Sequence, residues 1–286
     1  MHTCITKSLK DFKMNAAANS PLGSPSTVYP KKYSKEILFP ISRLHGRQNI
    51  LDGNELPFYG YDEWNAWELS WLNKSGLPQL GIARILVPCE SPALIESKSL
   101  KLYLNSLNNE KFLDRIEVQN LLASDLSEKI GAKVEVQVYW LEEYPHRISR
   151  PTGICLERQA GSFQQEKYSV ELLKKESDEL VYEQLYSHLL KSNCPVTKQP
   201  DWATLTINYK GPKICHDSLL RYILSFRDHD EFHEQCVERI FLAISQLTNP
   251  IELTINARYT RRGGIDINPL RSTSQTSFLP QRFVRQ

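Results

Sequence analysis

Two related α+β domains in tandem are the fold class this sequence predicts. Each is expected to be an antiparallel sheet with two helices, in the order strand–strand–helix–helix–strand–strand. Three observations lead there. The stretch 99–106 (Ser-Leu-Lys-Leu-Tyr-Leu-Asn-Ser) recurs at 218–225 (Ser-Leu-Leu-Arg-Tyr-Ile-Leu-Ser) at a constant offset of 119, and 78–87 resembles 200–209 after a small indel. Two copies are too few for a solenoid, which leaves paired domains. Apolar–polar alternation marks strands flanking both copies, and between them the apolar spacing becomes helical.

In chain order, residues 1–34 carry Ala, Asn, Ser and Pro and read as a flexible, solvated leader, with Met14 a second candidate start. Alternating segments at 66–72 and 78–87 predict strands. Two helical stretches follow, the second over 112–130, and a strand returns at 133–140. The second half repeats the order with a strand at 203–209, a helix over 230–247 and a strand at 251–259. In that helix Val237, Ile240, Phe241, Ile244 and Leu247 fall on one stripe. In the last strand Ile251, Leu253 and Ile255 alternate with polar residues. Breaks at 145–164 and 195–200, with a boundary near 165–190, divide the chain into modules 35–165 and 166–286.

Composition narrows the function classes. The chain has 286 residues, 41% hydrophobic and 24% charged, the proportions of a soluble globular protein. No apolar run approaches the roughly 20 residues of a membrane span, and no secretory signal opens the chain. The six cysteines show no framework spacing and no Cys-x-x-Cys, which predicts reduced thiols in a cytoplasm. Residues 1–50 hold eight Lys/Arg against two Asp/Glu, so the net charge of +2 is concentrated at the start. That basic segment lacks interleaved aromatics and a recognition helix, so no direct nucleic-acid partner is expected.

The chemistry centres on 193–201, Asn-Cys-Pro-Val-Thr-Lys-Gln-Pro-Asp. Its prolines deny a helix, and a strand follows, so Cys194 and Asp201 are expected on a loop held by a scaffold. A thiol with a proton-handling carboxylate close by is what covalent thiol chemistry needs. A cysteine is also often a small buried hydrophobe. Aligning the two copies sets Leu72 opposite Cys194 and Gln79 opposite Asp201, while Glu96-Ser97-Lys98 faces Cys215-His216-Asp217. Each half lacks polar groups the other has, which points to one composite site or to drift after duplication. Glu234 in the first turn of a helix is favourable for the helix dipole alone. Arg262-Gly263-Gly264 reads equally as a turn between strands.

Four motifs carry a resemblance. They are Glu96-Ser97-Lys98-Ser99-Leu100-Lys101-Leu102-Tyr103, then Cys194-Pro195-Val196-Thr197 through Gln199-Pro200-Asp201. The third is Phe226-Arg227-Asp228-His229-Asp230-Glu231-Phe232-His233-Glu234, and the fourth Arg262-Gly263-Gly264. In this order, over about residues 37–270, they resemble the bimodular NADPH-dependent 7-cyano-7-deazaguanine reductases, nitrile reductases of queuosine biosynthesis. The resemblance implies two tandem tunnelling-fold domains, a homodimer, no metal, and two NADPH consumed per nitrile. It implies that Cys194 adds to the nitrile carbon as a covalent thioimidate and that Asp201 is the general acid/base. It further implies that Ile95, Glu96, Ser97, His233 and Glu234 bind the deazapurine, and that Ser97, Lys98, Arg262 and Gly263 contact NADPH. No Gly-x-Gly-x-x-Gly is present to suggest a Rossmann domain; preference for NADPH over NADH rests on the resemblance.

Two rival readings belong to other classes. A zinc-dependent, cyclohydrolase-like enzyme would use His229 and His233, four apart, with Cys236 a turn further on. A non-catalytic purine- or pterin-binding protein would need neither Cys194 nor Asp201. For Cys215 and Cys236 a packing role is expected.

Overall fold

The structure, a computed structural model, describes residues 29–48, 50–51, 55–145, 147–158, 163–275 and 281–286. The leader expected over 1–34 lies outside the described residues up to 28. Within its last part, the Tyr33 hydroxyl donates to Asp125 at 2.8 Å and its backbone N–H to Glu110 at 2.9 Å.

The first half contains strands β1 (Pro40–Ser42), β2 (Tyr59–Leu72), β3 (Pro78–Pro88), β4 (Ala93–Ile95) and β5 (Glu135–Tyr139). Its helices are α1 (Arg43–Arg47), α2 (Ser97–Ser106) and α3 (Arg115–Ile130). Short strands β6 (Ile148–Ser149) and β7 (Ile154–Cys155) lead to β8 (Lys175–Asn193) and β9 (Pro200–Ile214). Helices α4 (His216–Leu224) and α5 (His233–Thr248) follow, then β10 (Glu252–Tyr259), β11 (Ile265–Ser272) and β12 (Arg282–Phe283).

One eight-stranded sheet runs β5-β3-β2-β11-β10-β9-β8-β7. The halves meet in its middle, where β11 pairs antiparallel with β2 from Ile265↔Ala66 to Ser272↔Tyr59. The architecture is α+β, and the repeat is visible in it. Each half opens on a long antiparallel strand pair, β2–β3 or β8–β9. Each pair has a register shift near the end of its first strand, between Ala66/Leu69 and between Ser187/Leu190. The helices α2 and α4 that follow are the two copies of the sequence repeat. Each half also has its own core. One gathers Trp71, Leu100, Tyr103, Leu122 and Val136, the other Leu205, Ile207, Tyr222, Val237, Ile240 and Phe241.

The structure differs from expectation in three places. After α3 the first half adds β5 beside β3 and then only the two-residue β7, at the far edge beside β8, because Pro145 and Pro151 interrupt the intervening chain and cannot donate to a ladder. Strand β8 occupies most of the range read as an inter-domain break. Its first part, Lys-Glu-Ser-Asp-Glu, is charged and largely exposed, so no alternation announces it. Helix α3 starts at Arg115, not 112, because Phe112 makes a strand-like hydrogen bond to Leu72 and Asp114 caps the helix.

Behind the sheet junction lies a buried ion-pair network. Arg271, with no exposed surface, donates to Asp62 and to Glu238, both at 2.8 Å, and Arg43 and Arg47 pair with the same two carboxylates. These charges are tolerated in the core because each is hydrogen-bonded to an opposite charge.

Candidate active site

Where the two halves meet, a cleft partly open to solvent is lined by Ile95, Glu96 and Ser97 from the first half. Cys194, Asp201, His233, Glu234 and Arg262 line it from the second.

The thiol sits on the turn between β8 and β9. Pro195 and Pro200 remove two backbone donors there, and the turn closes through Cys194 N–H to the Gln199 carbonyl (2.9 Å) and Lys198 N–H to the Cys194 carbonyl (3.0 Å). Lys198 adopts φ 59°, a left-handed conformation uncommon for a lysine. This folding aims the Thr197 N–H at the Cys194 Sγ, 3.5 Å away, where it favours a developing thiolate. Cys194 is only 5% exposed.

Asp201 opens β9 and is 4% exposed. Its Oδ1 accepts from Arg262 Nη1 at 2.6 Å, and its Oδ2 lies 3.3 Å from His233 Nε2. Burial pushes its carboxyl upward, yet the hydrogen bond and charge of His233, with those of Arg262, prevail and hold it below the usual carboxylate range. Asp201 is thereby favoured as the ionised carboxylate, a form that can accept a proton.

His233 is the first residue of α5, and its ring stacks on Tyr259 with centroids 3.8 Å apart. Its Nδ1 is buried with no partner among the described residues. Beside it Glu234, 3% exposed, keeps Oε1 without a partner. Burial, then repulsion from Asp62, raises the Glu234 carboxyl above its ordinary range. A buried acceptor without a partner is costly, and a ligand bearing N–H donors relieves it.

From the other half, Ile95 ends β4 and Ser97 begins α2. Glu96, between them, is the N-cap of α2. It accepts from the backbone N–H groups of Lys98 (2.6 Å) and Ser99 (2.8 Å). Burial nevertheless raises its carboxyl. The two glutamates thus differ: both Glu96 oxygens are engaged by N–H groups of its own helix, whereas Glu234, beside its own backbone N–H, keeps Oε1 without a partner among the described residues.

Lys98 and Gly263 do not line the cleft. Gly263 and Gly264 take φ 58° and 78°, a left-handed conformation that side-chain-bearing residues rarely adopt, so this turn favours glycine. The Gly263 carbonyl accepts from Lys101. Arg262, expected at the cofactor, reaches Asp201, Gln199 and Thr197 Oγ1 and so ties down the nucleophile turn. The structure adds Trp64, Leu94, Phe232, Thr260, Ile265 and Ile267 as walls. Of these only Phe232 had a sequence signal, its place beside His233. Trp64 meets Ile267 across the β2–β11 pairing, which no local pattern reveals.

The His229, His233 and Cys236 set is not assembled. His229 stacks on Tyr168 and pairs with Glu231 at 3.1 Å, whereas His233 faces Asp201. Cys236 is fully buried, and burial pushes its thiol well up, consistent with packing. Among the described residues no three His, Cys, Asp or Glu side chains are grouped to hold a metal ion.

Comparison with known proteins gives the chain a family. The profile of the family described as "Nitrile reductase, 7-cyano-7-deazaguanine-reductase N-term" matches residues 29–138, and that of "QueF-like protein" matches residues 200–277. The NADPH-dependent 7-cyano-7-deazaguanine reductase of Legionella pneumophila (strain Corby) is 47% identical over 287 residues, covering 99% of this chain and 100% of that protein. Its counterpart from Coxiella burnetii (strain Dugway 5J108-111) is 50% identical over 260 residues, covering 90% and 92%. The chain belongs to the 7-cyano-7-deazaguanine reductase family.

Proposed function

We propose that this protein reduces the nitrile of 7-cyano-7-deazaguanine to an aminomethyl group with NADPH, in queuosine biosynthesis, through a covalent adduct on Cys194. The observation that carries the reading is that a buried thiol, an ionised carboxylate and a partnerless buried glutamate oxygen line one cleft. The working unit is read as two tandem tunnelling-fold modules, 35–165 and 166–286, in a cytoplasmic homodimer. The repeated strand pairs and the two cores support that division.

Each residue then has a task. Glu234 accepts from the ring N–H donors of the deazapurine, with His233, Ile95, Glu96 and Ser97 framing the ring. Asp201 takes the proton of the Cys194 thiol as sulfur attacks the nitrile carbon. The S–C bond forms, one C–N π bond opens, and Asp201 passes the same proton to the nitrogen, so the addition is proton-neutral. General acid–base assistance of this kind contributes about 10²–10⁴-fold. The Thr197 N–H supports the thiolate during attack. Ser97 and Arg262 stand in the cleft where the reacting end of a dinucleotide would lie. When bound, NADPH supplies hydride, two equivalents satisfying the four-electron reduction. The apolar walls Trp64, Phe232, Ile265 and Ile267 exclude water from the adduct.

The test is to mix protein, 7-cyano-7-deazaguanine and NADPH and follow nicotinamide absorbance. Two NADPH lost per nitrile consumed is expected. No nitrile-dependent loss would remove the reading.

A further inference from the structure

Among the described residues, nine buried side-chain nitrogen or oxygen atoms have no hydrogen-bond partner. Three of them belong to residues that line the cleft: Glu234 Oε1, His233 Nδ1 and Trp64 Nε1. A buried polar atom left unpaired is costly, and a ligand that supplies its partner relieves the cost. Trp64, 3% exposed, is therefore more than an apolar wall.

The indole N–H is a donor only, so it calls for an acceptor, the opposite of what Glu234 needs. His233 does not fill the same part. Where its Nε2–H donates to Asp201, the neutral ring leaves Nδ1 an acceptor. Arg262, Ser97 and Thr260 do not compete for it either. Arg262 is bonded to Asp201, the Ser97 hydroxyl donates to Glu96 at 3.5 Å, and Thr260 is only half-buried and keeps access to water.

The sheet fixes which end of the cleft the indole serves. Trp64 on β2 pairs with Ile267 of β11, which also lines the cleft. Strands β2, β11, β10 and β9 are neighbours in that order. On β10, Tyr259 stacks on His233 and pairs with Ala203 of β9, two residues from Asp201. Three inter-strand spacings of about 4.8 Å put β2 roughly 14 Å from β9 across the sheet. The indole therefore stands at the end of the cleft away from Cys194 and Asp201.

A nitrile placed for attack by Cys194 decides what meets Trp64. 7-Cyano-7-deazaguanine has three acceptors: the nitrile nitrogen, the ring carbonyl and the ring nitrogen N3. The nitrile and the carbonyl stand side by side on one edge of the bicycle and share the Cys194 end. N3 lies on the opposite edge, between the amino group and the pyrrole N–H. We infer that Trp64 is a specificity-determining residue whose indole N–H donates to N3 of the bound deazapurine, while Glu234 accepts from its N–H groups. The inference rests on the nitrile-reductase reading above, which supplies the ligand.

The test is a two-by-two comparison of equilibrium binding by calorimetry, in a Cys194→Ala background where no adduct forms. The proteins carry either Trp64 or Trp64→Phe, which keeps an aromatic ring and removes the N–H. The ligands are 7-cyano-7-deazaguanine and its analogue with C–H in place of N3. With Trp64 present, replacing N3 should weaken binding roughly 10-fold, the scale of leaving a buried donor unpaired. Trp64→Phe should weaken binding of the nitrile by a similar factor, and the two ligands should then bind equally. A Trp64 protein that binds both ligands equally overturns the inference, and that result needs no folded variant. A Trp64→Phe protein that loses the same factor for both ligands overturns it too, assigning the tryptophan to packing, as does one that loses affinity for neither. A wild type that gives no adduct with the nitrile removes the functional reading itself. Adduct formation beside binding that is indifferent to N3 removes this inference alone.

Discussion

Arg262→Ala should move the acid limb of adduct formation. Arg262 holds Asp201 at 2.6 Å, and Asp201 is 4% exposed, so the carboxylate has little water to replace the lost donor. A hydrogen bond between charged groups contributes about 1.5–3 kcal/mol. The Arg262 side chain is 34% exposed, so solvent screening favours the lower end, about 1.5 kcal/mol. The sign follows from the direction of the shift. The folded-state value is depressed, so the ionised form persists into acid, and the stability it contributes is lost as pH falls through that value. Without Arg262 the value rises, so as pH falls both proton uptake from Cys194 and that share of stability fail at a higher pH than in the wild type. The assay is the rate of thioimidate appearance against pH with NADPH absent, by absorbance or quenched mass. An acid limb that stays where it is in the wild type would refute the assignment of Asp201 as base and Arg262 as its anchor.

Three further outcomes are expected. Glu234→Gln keeps one acceptor but removes the charge, and should weaken nitrile binding roughly 10-fold or more. Burial and Asp62 raise Glu234, with His233 and Arg43 opposing. Wild-type affinity should therefore fall as the pH is lowered, starting above the ordinary glutamate range, and identical binding profiles for the two proteins would count against the role. Arg271→Met leaves Asp62 and Glu238 each short of a buried partner and should cost about 3–5 kcal/mol of stability. An unchanged denaturation midpoint would contradict that. Prolonged chelation should leave turnover intact, whereas loss restored by zinc would favour the cyclohydrolase-like rival.

Where periodicity was clean, the chain could be read directly. The α5 stripe of Val237, Ile240, Phe241 and Ile244 is buried, and β10 buries Leu253 and Ile255 on either side of half-buried Thr254, while Ile251 falls before the strand and is exposed. The offset of 119 marks α2 and α4. Strand β8 escaped because its opening residues are charged and solvated, leaving backbone pairing with β9 as the force that orders it. Residue types and motif order picked out most of the cleft, but not what each group would be doing. Arg262 and Asp201 are 61 positions apart, and only the β9–β10 register brings them together. Glu96 and Glu234 look alike in sequence. One carboxylate is taken up by helix N–H groups and the other is left facing a cleft, a difference set by how each helix docks.

The central claim is a transient carbon–sulfur bond at Cys194, and peptide mass mapping after mixing the protein with 7-cyano-7-deazaguanine, NADPH withheld, tests it most directly. The account predicts a mass increase equal to the whole heterocycle, confined to the peptide containing Cys194, absent from Cys194→Ala, and discharged when NADPH is added. A Cys194→Ala protein that still reduces the nitrile, or an adduct carried on another residue, would contradict it.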